Sequence, residues 1–192
     1  MSRMLLETDV RAESQTVAEP VAGWRVWTLY AKRRGAEVRL RPIGGRPRPW
    51  PPFEPARATC SRHGRHPVPG FDCTCGLHAT RSLDVLRRAR NPAVFGTVAL
   101  WGRVVEHEHG YRAAFAYPQR LMLVCHLCFW QWGPERSSAD AVAVLRGGRL
   151  VPLCDGHVEL SDRYGYPTRQ LLPVRRIEGA LLSTYAVDPL CL

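Results

Sequence analysis

Two short pairs of cysteine and histidine residues constrain this chain more than any other feature of its sequence. Cys125 and Cys128 are separated by two residues, and so are Cys154 and His157. This spacing bends the backbone so that both side chains of a pair face one point. Together the pairs offer three sulfur atoms and one imidazole, which are ligands that a structural zinc ion binds in a tetrahedron. The sequence therefore predicts a zinc site built from these four residues.

The segment between the two pairs has the pattern of a β-hairpin. Val142 and Val144 precede a turn at Gly147 and Gly148, and apolar residues resume at Leu150. Ligand pairs that flank a hairpin are the layout of a zinc ribbon, and residues 123–158 resemble one in residue types and spacing. A site closed by four protein ligands has no position for a substrate or an activated water, so we expect this metal to be structural.

A second group of candidate ligands lies in a zinc loop predicted over residues 58–80. Six cysteines and histidines fall within 19 residues there: Cys60, His63, His66, Cys73, Cys75 and His78. A loop this short and rich in glycine and proline cannot form a core, and a metal supplies the missing cross-link. The preferred ligands are Cys60, His66, Cys73 and Cys75. His63 is an alternative to His66, and Cys75 with His78 is an alternative pair. We therefore expect two zinc ions per chain.

The surplus histidines of this loop leave a metal-dependent enzyme as an alternative. Three protein ligands and a water would make a catalytic zinc site, which also needs a general acid or base. Asp72 is the only carboxylate among residues 60–78. The chain lacks the zinc-deaminase pattern in which H-x-E is followed by P-C-x-x-C, and it lacks H-E-x-x-H, phosphate-loop, dinucleotide and nucleophile-elbow motifs. We therefore expect no catalytic residues, and an enzyme is the least favoured function.

The net charge of +10 is concentrated in the first half of the chain. Residues 24–50 contain seven arginines and Lys32 against Glu37 alone, whereas residues 125–192 contain seven arginines and seven acidic residues. A concentrated positive field attracts nucleic acid, anionic surfaces or acidic partners. The candidate phosphate contacts are Arg33, Arg34, Arg39, Arg41, Arg46 and Arg48.

These features favour a non-catalytic zinc-binding protein that contacts nucleic acid or an acidic protein partner. It would act within a larger assembly of the transcription or DNA-processing type. The alternative is a protein–protein adaptor without nucleic-acid binding, in which the hairpin edge and residues 1–22 recruit partners.

Cysteine usage and the first residues indicate the compartment. Six of the seven cysteines are grouped with histidines, which is typical of metal sites in a reducing environment, and Cys191 is expected to be a free thiol. The first 19 residues lack the pattern of a secretory signal. No apolar run approaches the ~20 residues that cross a bilayer. We therefore expect a cytoplasmic location and no membrane partner.

The hydrophobic pattern predicts an α+β fold, rich in antiparallel hairpins around a small core. One hairpin is expected over residues 24–43 and a longer one over residues 94–124. Short helices are expected over residues 81–90 and from Val174 to Tyr185, with Arg175 and Arg176 exposed. The predicted domains are a flexible tail (1–22), a β-rich core with a basic face and the zinc loop (23–122), the ribbon (123–160) and a C-terminal helical extension (161–192).

Two tryptophan-containing segments have alternative interpretations. Residues 44–55 hold five prolines and predict an extended connector, in which Trp50 either packs into the core or lies along a phosphate backbone. Phe129, Trp130 and Trp132 follow the first zinc pair in a segment expected to be a loop. Packing of these rings on the metal loop is favoured over stacking on nucleobases.

Two stretches carry a resemblance to a group of proteins. Residues 73–79 read C-T-C-G-L-H-A, and residues 100–113 read L-W-G-R-V-V-E-H-E-H-G-Y-R-A. There, and over about residues 23–120, the chain resembles an uncharacterised actinobacterial family with recurring C-x-C-G-[IL]-[YH]-A and L-W-G-x-V-V-E-H-x-x-G-Y-R-A stretches. The resemblance implies a shared fold and metal site and no particular activity. The position of His78 is more often Tyr in that family, which weakens His78 as a ligand.

Overall fold

One mostly antiparallel sheet organises the protein. The computed structural model describes residues 14–32, 37–44, 48–62, 66–166 and 170–192. Within these ranges ten strands share the sheet, and only β10 pairs in parallel, with β6. The strands are β1 (Ser14–Lys32), β2 (Glu37–Pro42), β3 (Ala56–Arg57), β4 (Leu77–Thr80), β5 (Val94–His107), β6 (Gly110–Leu123), β7 (Ala141–Val144), β8 (Arg149–Leu153), β9 (Leu171–Pro173) and β10 (Asp188–Pro189). The α-helices are α1 (Leu83–Leu86), α2 (His126–Trp132), α3 (Asp155–Glu159) and α4 (Val174–Tyr185).

β1 connects the parts of the sheet. It pairs with β5 along most of its length, with β2 from Trp27 to Lys32, and with β8 at Leu29 and Tyr30. The hairpin predicted for residues 24–43 is therefore confirmed. The predicted tail over residues 1–22 is wrong for residues 14–22, because β1 begins at Ser14 and pairs with β5 there. This segment obtains its strand conformation from backbone pairing rather than from an alternating side-chain pattern.

β5 and β6 form the long hairpin predicted for residues 94–124, with its turn at Glu108 and His109. Apolar residues of this hairpin are fully buried in the main core, among them Val98, Leu100, Ala113, Ala116 and Leu121. The alternation is interrupted where two residues of β5, Gly102 and Arg103, stand opposite Ala114 alone. This is a β-bulge, and Gly102 has the positive φ of 75° that such a bulge favours.

α4 covers the main core and has the bounds predicted from the sequence. Its apolar residues recur at helical spacing, so that Ile177, Leu181 and Tyr185 lie fully buried on one side. Arg175 and Arg176 are exposed, as expected. The helix begins directly after Pro173, and Ala186, which follows its last residue, adopts the left-handed conformation that ends many helices.

The Tyr185→Phe variant is expected to lose about 1–3 kcal/mol of the free energy of unfolding. The buried hydroxyl accepts a hydrogen bond from the Leu40 N–H at 3.0 Å and donates one to the Trp50 carbonyl at 3.0 Å. Both backbone groups would be left without this partner. Urea unfolding measures the loss, and Tyr164→Phe, which alters an exposed phenol, is the matched control. Equal stability of Tyr185→Phe and the wild type would contradict this assignment.

The wild type and Tyr185→Phe should also differ in how their stability changes at alkaline pH. Burial raises the pKa of Tyr185 to about 12, whereas a tyrosine in the unfolded chain titrates near ~10. The folded state therefore retains a proton that the unfolded state has already lost. Stability from the neutral phenol is complete below about pH 10 and declines as the pH rises towards 12. The phenylalanine variant should lack this part of the decline.

Trp50 packs into the core, which decides between the two interpretations of the proline-rich connector. Its side chain is 4% exposed and meets Trp27 edge to face, with ring centroids 5.4 Å apart. Its backbone N–H also donates to the Leu40 carbonyl at 2.8 Å. Trp50 is thus a core residue and presents no free ring to a ligand.

The helix predicted over residues 81–90 is shorter than expected. α1 spans only Leu83–Leu86, although the Ser82 side chain caps it by accepting from the Asp84 N–H at 3.3 Å. None of its residues is buried, and a short helix without a packed face gains little stability. None of the described helices has the length and apolar character required to cross a membrane.

Candidate metal centres

Cys125, Cys128, Cys154 and His157 converge in one place, and we call this group the C-terminal centre. The Cys128 and Cys154 sulfurs are 3.5 Å apart. The His157 Nδ1 atom lies 3.4 Å from the Cys125 sulfur, 3.4 Å from that of Cys128 and 3.1 Å from that of Cys154. One imidazole nitrogen and three sulfurs therefore face a common point.

These spacings fit the coordination shell of a zinc ion. Bonds of about 2.3 Å to sulfur and about 2.0–2.1 Å to nitrogen give a regular tetrahedron with S···S edges of about 3.8 Å and S···N edges of about 3.6 Å. The edges given above agree with these values to within a few tenths of an ångström, apart from the shorter Cys154–His157 contact. The donor set is the soft one that zinc prefers. The group can hold a metal ion.

Two helix starts position the four ligands of the C-terminal centre. Cys125 and Cys154 occupy the positions before α2 and α3, and Cys128 and His157 lie in the first turns of these helices. Backbone N–H groups at a helix start point towards an anion, so a thiolate is stabilised there. The β7–β8 hairpin between the two pairs forms as predicted and turns at Gly147 and Gly148. The helices were not predicted, and α2 replaces the loop expected for residues 129–132.

Burial makes the C-terminal centre dependent on a cation. Cys125 is fully buried, and this burial raises the pKa of its thiol. Burial, followed by the nearby Cys125 and Cys154 sulfurs, raises the pKa of Cys128 to about 12. These thiols therefore stay protonated at neutral pH unless a positive charge is present. A divalent metal ion supplies that charge and displaces the protons.

A hydrogen bond next to the C-terminal centre connects the segment after α3 to the first residue of α2. His126 follows Cys125 and is buried, and its Nε2 atom forms a 2.8 Å hydrogen bond with the Tyr166 hydroxyl. The two rings also meet edge to face at 5.3 Å. Burial lowers the pKa of His126 to about 4, so the ring is neutral at physiological pH. The contact ties the chain beyond α3 to the start of α2.

Cys60, His66, Cys73 and Cys75 form a second group, the N-terminal centre. Their four ligand atoms all lie within 4.8 Å of one another, with the Cys60 and Cys73 sulfurs 3.7 Å apart. The His66 Nδ1 atom is 2.7 Å from the Pro67 carbonyl, which can only accept, so Nδ1 carries the proton and a metal would bind at Nε2. All four residues are partly exposed. This group can also hold a metal ion.

The other candidate ligands that the structure describes lie outside both centres. His78 belongs to neither centre, and its Nε2 atom forms a 3.0 Å hydrogen bond with the Thr74 carbonyl. His63 lies outside the described residues. Asp72 is exposed and is not grouped with the ligands, and Cys191 is exposed and lies in neither centre.

Residues 58–76, which carry the N-terminal centre and which we call the N-terminal metal loop, are flanked by two strands that both pair with β6. The chain leaves the sheet after β3, which pairs with Phe115 and Ala116, and returns in β4, which pairs with residues 110–113. The loop between them closes over Arg112, which is 9% exposed. Arg112 Nη1 donates to the carbonyl of Gly70 at 3.0 Å, to that of Cys75 at 3.2 Å and to that of Cys73.

Sequence reasoning missed this role of Arg112. It lies near the end of the stretch over residues 100–113, but no neighbouring residue in the sequence indicates a contact with the distant carbonyls of the N-terminal metal loop. The guanidinium satisfies carbonyls that would otherwise face one another in residues 66–76, a described segment without helix or strand. It therefore fixes the backbone on which two of the cysteine ligands are carried.

The predicted phosphate contacts are only partly described. Arg39 forms an ion pair with Glu37 at 2.5 Å, and the guanidinium of Arg41 lies 4.0 Å from the centre of the Tyr30 ring. Arg48 is exposed. Arg33, Arg34 and Arg46 lie outside the described residues. The described arginines of this group therefore include one that is charge-paired, one stacked and one exposed.

Comparison of the chain with protein-family models, curated proteins and solved structures found no match.

Proposed function

We propose that this protein is a non-catalytic zinc protein that binds nucleic acid through an arginine-rich surface. The observation that carries the metal part is the convergence of eight cysteine and histidine side chains into two groups of four. Both groups offer sulfur and imidazole ligands, which favour zinc over the oxygen-binding cations. Two zinc ions per chain would cross-link segments that contain little core of their own.

The ligand count supports a structural role for both metals. Each centre brings together four protein ligands, and a tetrahedral zinc with four protein ligands keeps no position for a substrate or an activated water. At the N-terminal centre, the spare histidine His78 is already hydrogen-bonded to the Thr74 carbonyl. Asp72, the carboxylate considered as a general acid or base, is not grouped with the ligands.

The charge distribution supports nucleic acid as the partner. The chain carries 27 lysines and arginines against 17 acidic residues, yet the described part contains only three ion pairs, of which two involve arginine. Most described arginines therefore keep a charge that no neighbouring carboxylate neutralises. A surplus of this kind favours phosphate contacts and makes binding sensitive to salt.

A charge-reversed variant tests this proposal. Glutamate in place of Arg39, Arg41 and Arg48, together with Arg33, Arg34 and Arg46, should reduce affinity for a mixed-sequence duplex and for single strands at least tenfold. It should also flatten the dependence of affinity on salt, because each lost phosphate contact releases fewer counterions. Fluorescence anisotropy across a salt series measures both, and native mass spectrometry should still find two zinc ions. Unchanged affinity and salt slope would end the proposal.

One observation favours a protein partner as the second candidate function. Trp130 and Trp132 on α2 are 72% and 49% exposed. The prediction that these rings pack on the loop of the first zinc pair, Cys125 and Cys128, is therefore wrong for both tryptophans. Exposed tryptophans are common anchors of protein interfaces. Partner binding that survives high salt, by a protein without affinity for nucleic acid, would favour the adaptor function.

A further inference from the structure

We propose that a row of stacked aromatic and arginine side chains, on the sheet face beside the N-terminal centre, binds unpaired bases of single-stranded nucleic acid. This inference rests on the proposed function and assigns its contact surface. The row consists of Arg57, Phe115 and Trp101, and it continues into Arg103 and Phe71. We call these five residues the aromatic row.

Strand register places the first three residues of the aromatic row side by side. Arg57 on β3 is directly opposite Phe115 on β6, and Phe115 is directly opposite Trp101 on β5. Residues opposite each other on neighbouring strands point to the same face of a sheet. The Trp101 and Phe115 rings are stacked, with centroids 6.1 Å apart and planes within 21°. The Arg57 guanidinium lies 5.9 Å from the Phe115 ring.

The β-bulge extends the aromatic row by one arginine. Phe115 lies over Gly102, where an added Cβ atom would meet the ring at 2.9 Å, so only glycine permits this approach. Arg103 follows, and it precedes Val104, whose side chain is in the main core. The extra residue of the bulge interrupts the alternation of β5 between Trp101 and Val104, so Arg103 follows closely after Trp101 along the strand. Its guanidinium lies 5.3 Å from the Phe71 ring.

Phe71 is the member of the aromatic row that lies nearest in sequence to the N-terminal centre. It lies in the loop between Gly70 and Cys73, and 44% of its surface is exposed. Arg112 binds the carbonyls on both sides of it, those of Gly70 and Cys73, and thereby fixes the backbone that carries the ring. Since Cys73 is a ligand of the N-terminal centre, a metal ion there orders the segment that presents Phe71.

The chemistry of the aromatic row fits unpaired bases. Arg57 is exposed, Trp101 and Phe115 are partly exposed, and neither Arg57 nor Arg103 takes part in an ion pair in the described part of the chain. Flat aromatic faces next to unneutralised guanidinium groups stack on bases and attract phosphate. In a duplex the base faces are already stacked on each other, so such a surface favours single strands.

Anisotropy with a labelled oligothymidine strand and a duplex of equal length tests the assignment. The wild type should bind the strand more tightly than the duplex. Trp101→Ala should weaken strand binding about 5- to 150-fold, the value of one stacked base, and Arg57→Glu should weaken it at least several-fold. Trp130→Ala removes a more exposed tryptophan elsewhere and is the matched control; it should bind as the wild type does.

Two readouts separate failure of this inference from failure of the proposed function. Circular dichroism melting shows whether Trp101→Ala remains folded, and Arg57→Glu changes an exposed residue, so it tests the surface even if the first variant is unstable. If the wild type binds neither strand nor duplex, both proposals are wrong. If it binds, and strand affinity is unchanged in folded Trp101→Ala or in Arg57→Glu, only the aromatic row is wrong.

Discussion

The Cys128→Ser variant is expected to bind one zinc ion instead of two and to lose its cooperative unfolding transition. Cys128 is buried among the other ligands of the C-terminal centre, and serine cannot replace its sulfur as a soft ligand. Structural zinc sites contribute about 10–16 kcal/mol of apparent binding free energy. That contribution is comparable to the whole stability of about 5–15 kcal/mol of a typical protein. Native mass spectrometry and thermal melting measure the two effects.

Cys191→Ser is the matched control for this variant. Cys191 is exposed and belongs to neither metal centre. Its replacement should leave both zinc ions and the melting temperature unchanged. The structural role of the C-terminal centre would be refuted if Cys128→Ser melted as the wild type does, or if it still held two zinc ions.

The second large effect is expected for Arg112→Met. Methionine fills much of the volume of arginine but leaves the carbonyls of Gly70, Cys73 and Cys75 without their common donor. A buried carbonyl left without its donor costs about 1–3 kcal/mol. Urea unfolding should show this loss. A chelator should then remove the zinc of the N-terminal centre much faster than the zinc of the C-terminal centre.

Two further variants separate the role of Arg112 from the general effect of removing an arginine. Arg120→Met alters an exposed arginine of the same strand and should change neither stability nor zinc release. Arg112→Lys keeps the charge, but a compact ammonium lacks the planar fork of arginine, so its stability should fall between that of the wild type and that of Arg112→Met. Equal zinc release from Arg112→Met and Arg120→Met would contradict the assigned role of Arg112.

The elements that sequence reasoning predicted well are those that local pattern determines. α4 has an apolar residue on nearly every turn between Pro173 and Ala186, so its periodicity defines both ends. Each strand of the β5–β6 hairpin is fourteen residues long, and its alternation is interrupted at two irregular positions. The members of the two C-terminal ligand pairs are close in sequence, and a two-residue spacing brings them together without long-range structure.

Long-range contacts account for what the sequence did not show. The conformation of residues 14–22 depends on β5, which lies about eighty residues further along the chain. α2 is apolar on most sides, so its sequence has no helical period, and its start is set by the metal ligands. Arg112 acts on carbonyls about forty residues away, and the aromatic row exists only once three strands are in register.

The contacts of Tyr185 with the main core determine when this core can form during synthesis on the ribosome. Its hydroxyl joins Leu40 and Trp50, residues translated well over a hundred codons earlier. The earlier strands therefore cannot bury their apolar face until α4 has left the exit tunnel. During that interval the nascent chain exposes Trp27 and its neighbours, so it is open to chaperones and proteases. We expect the main core to form only after α4 has been synthesised, and chains arrested before α4 to be cleared.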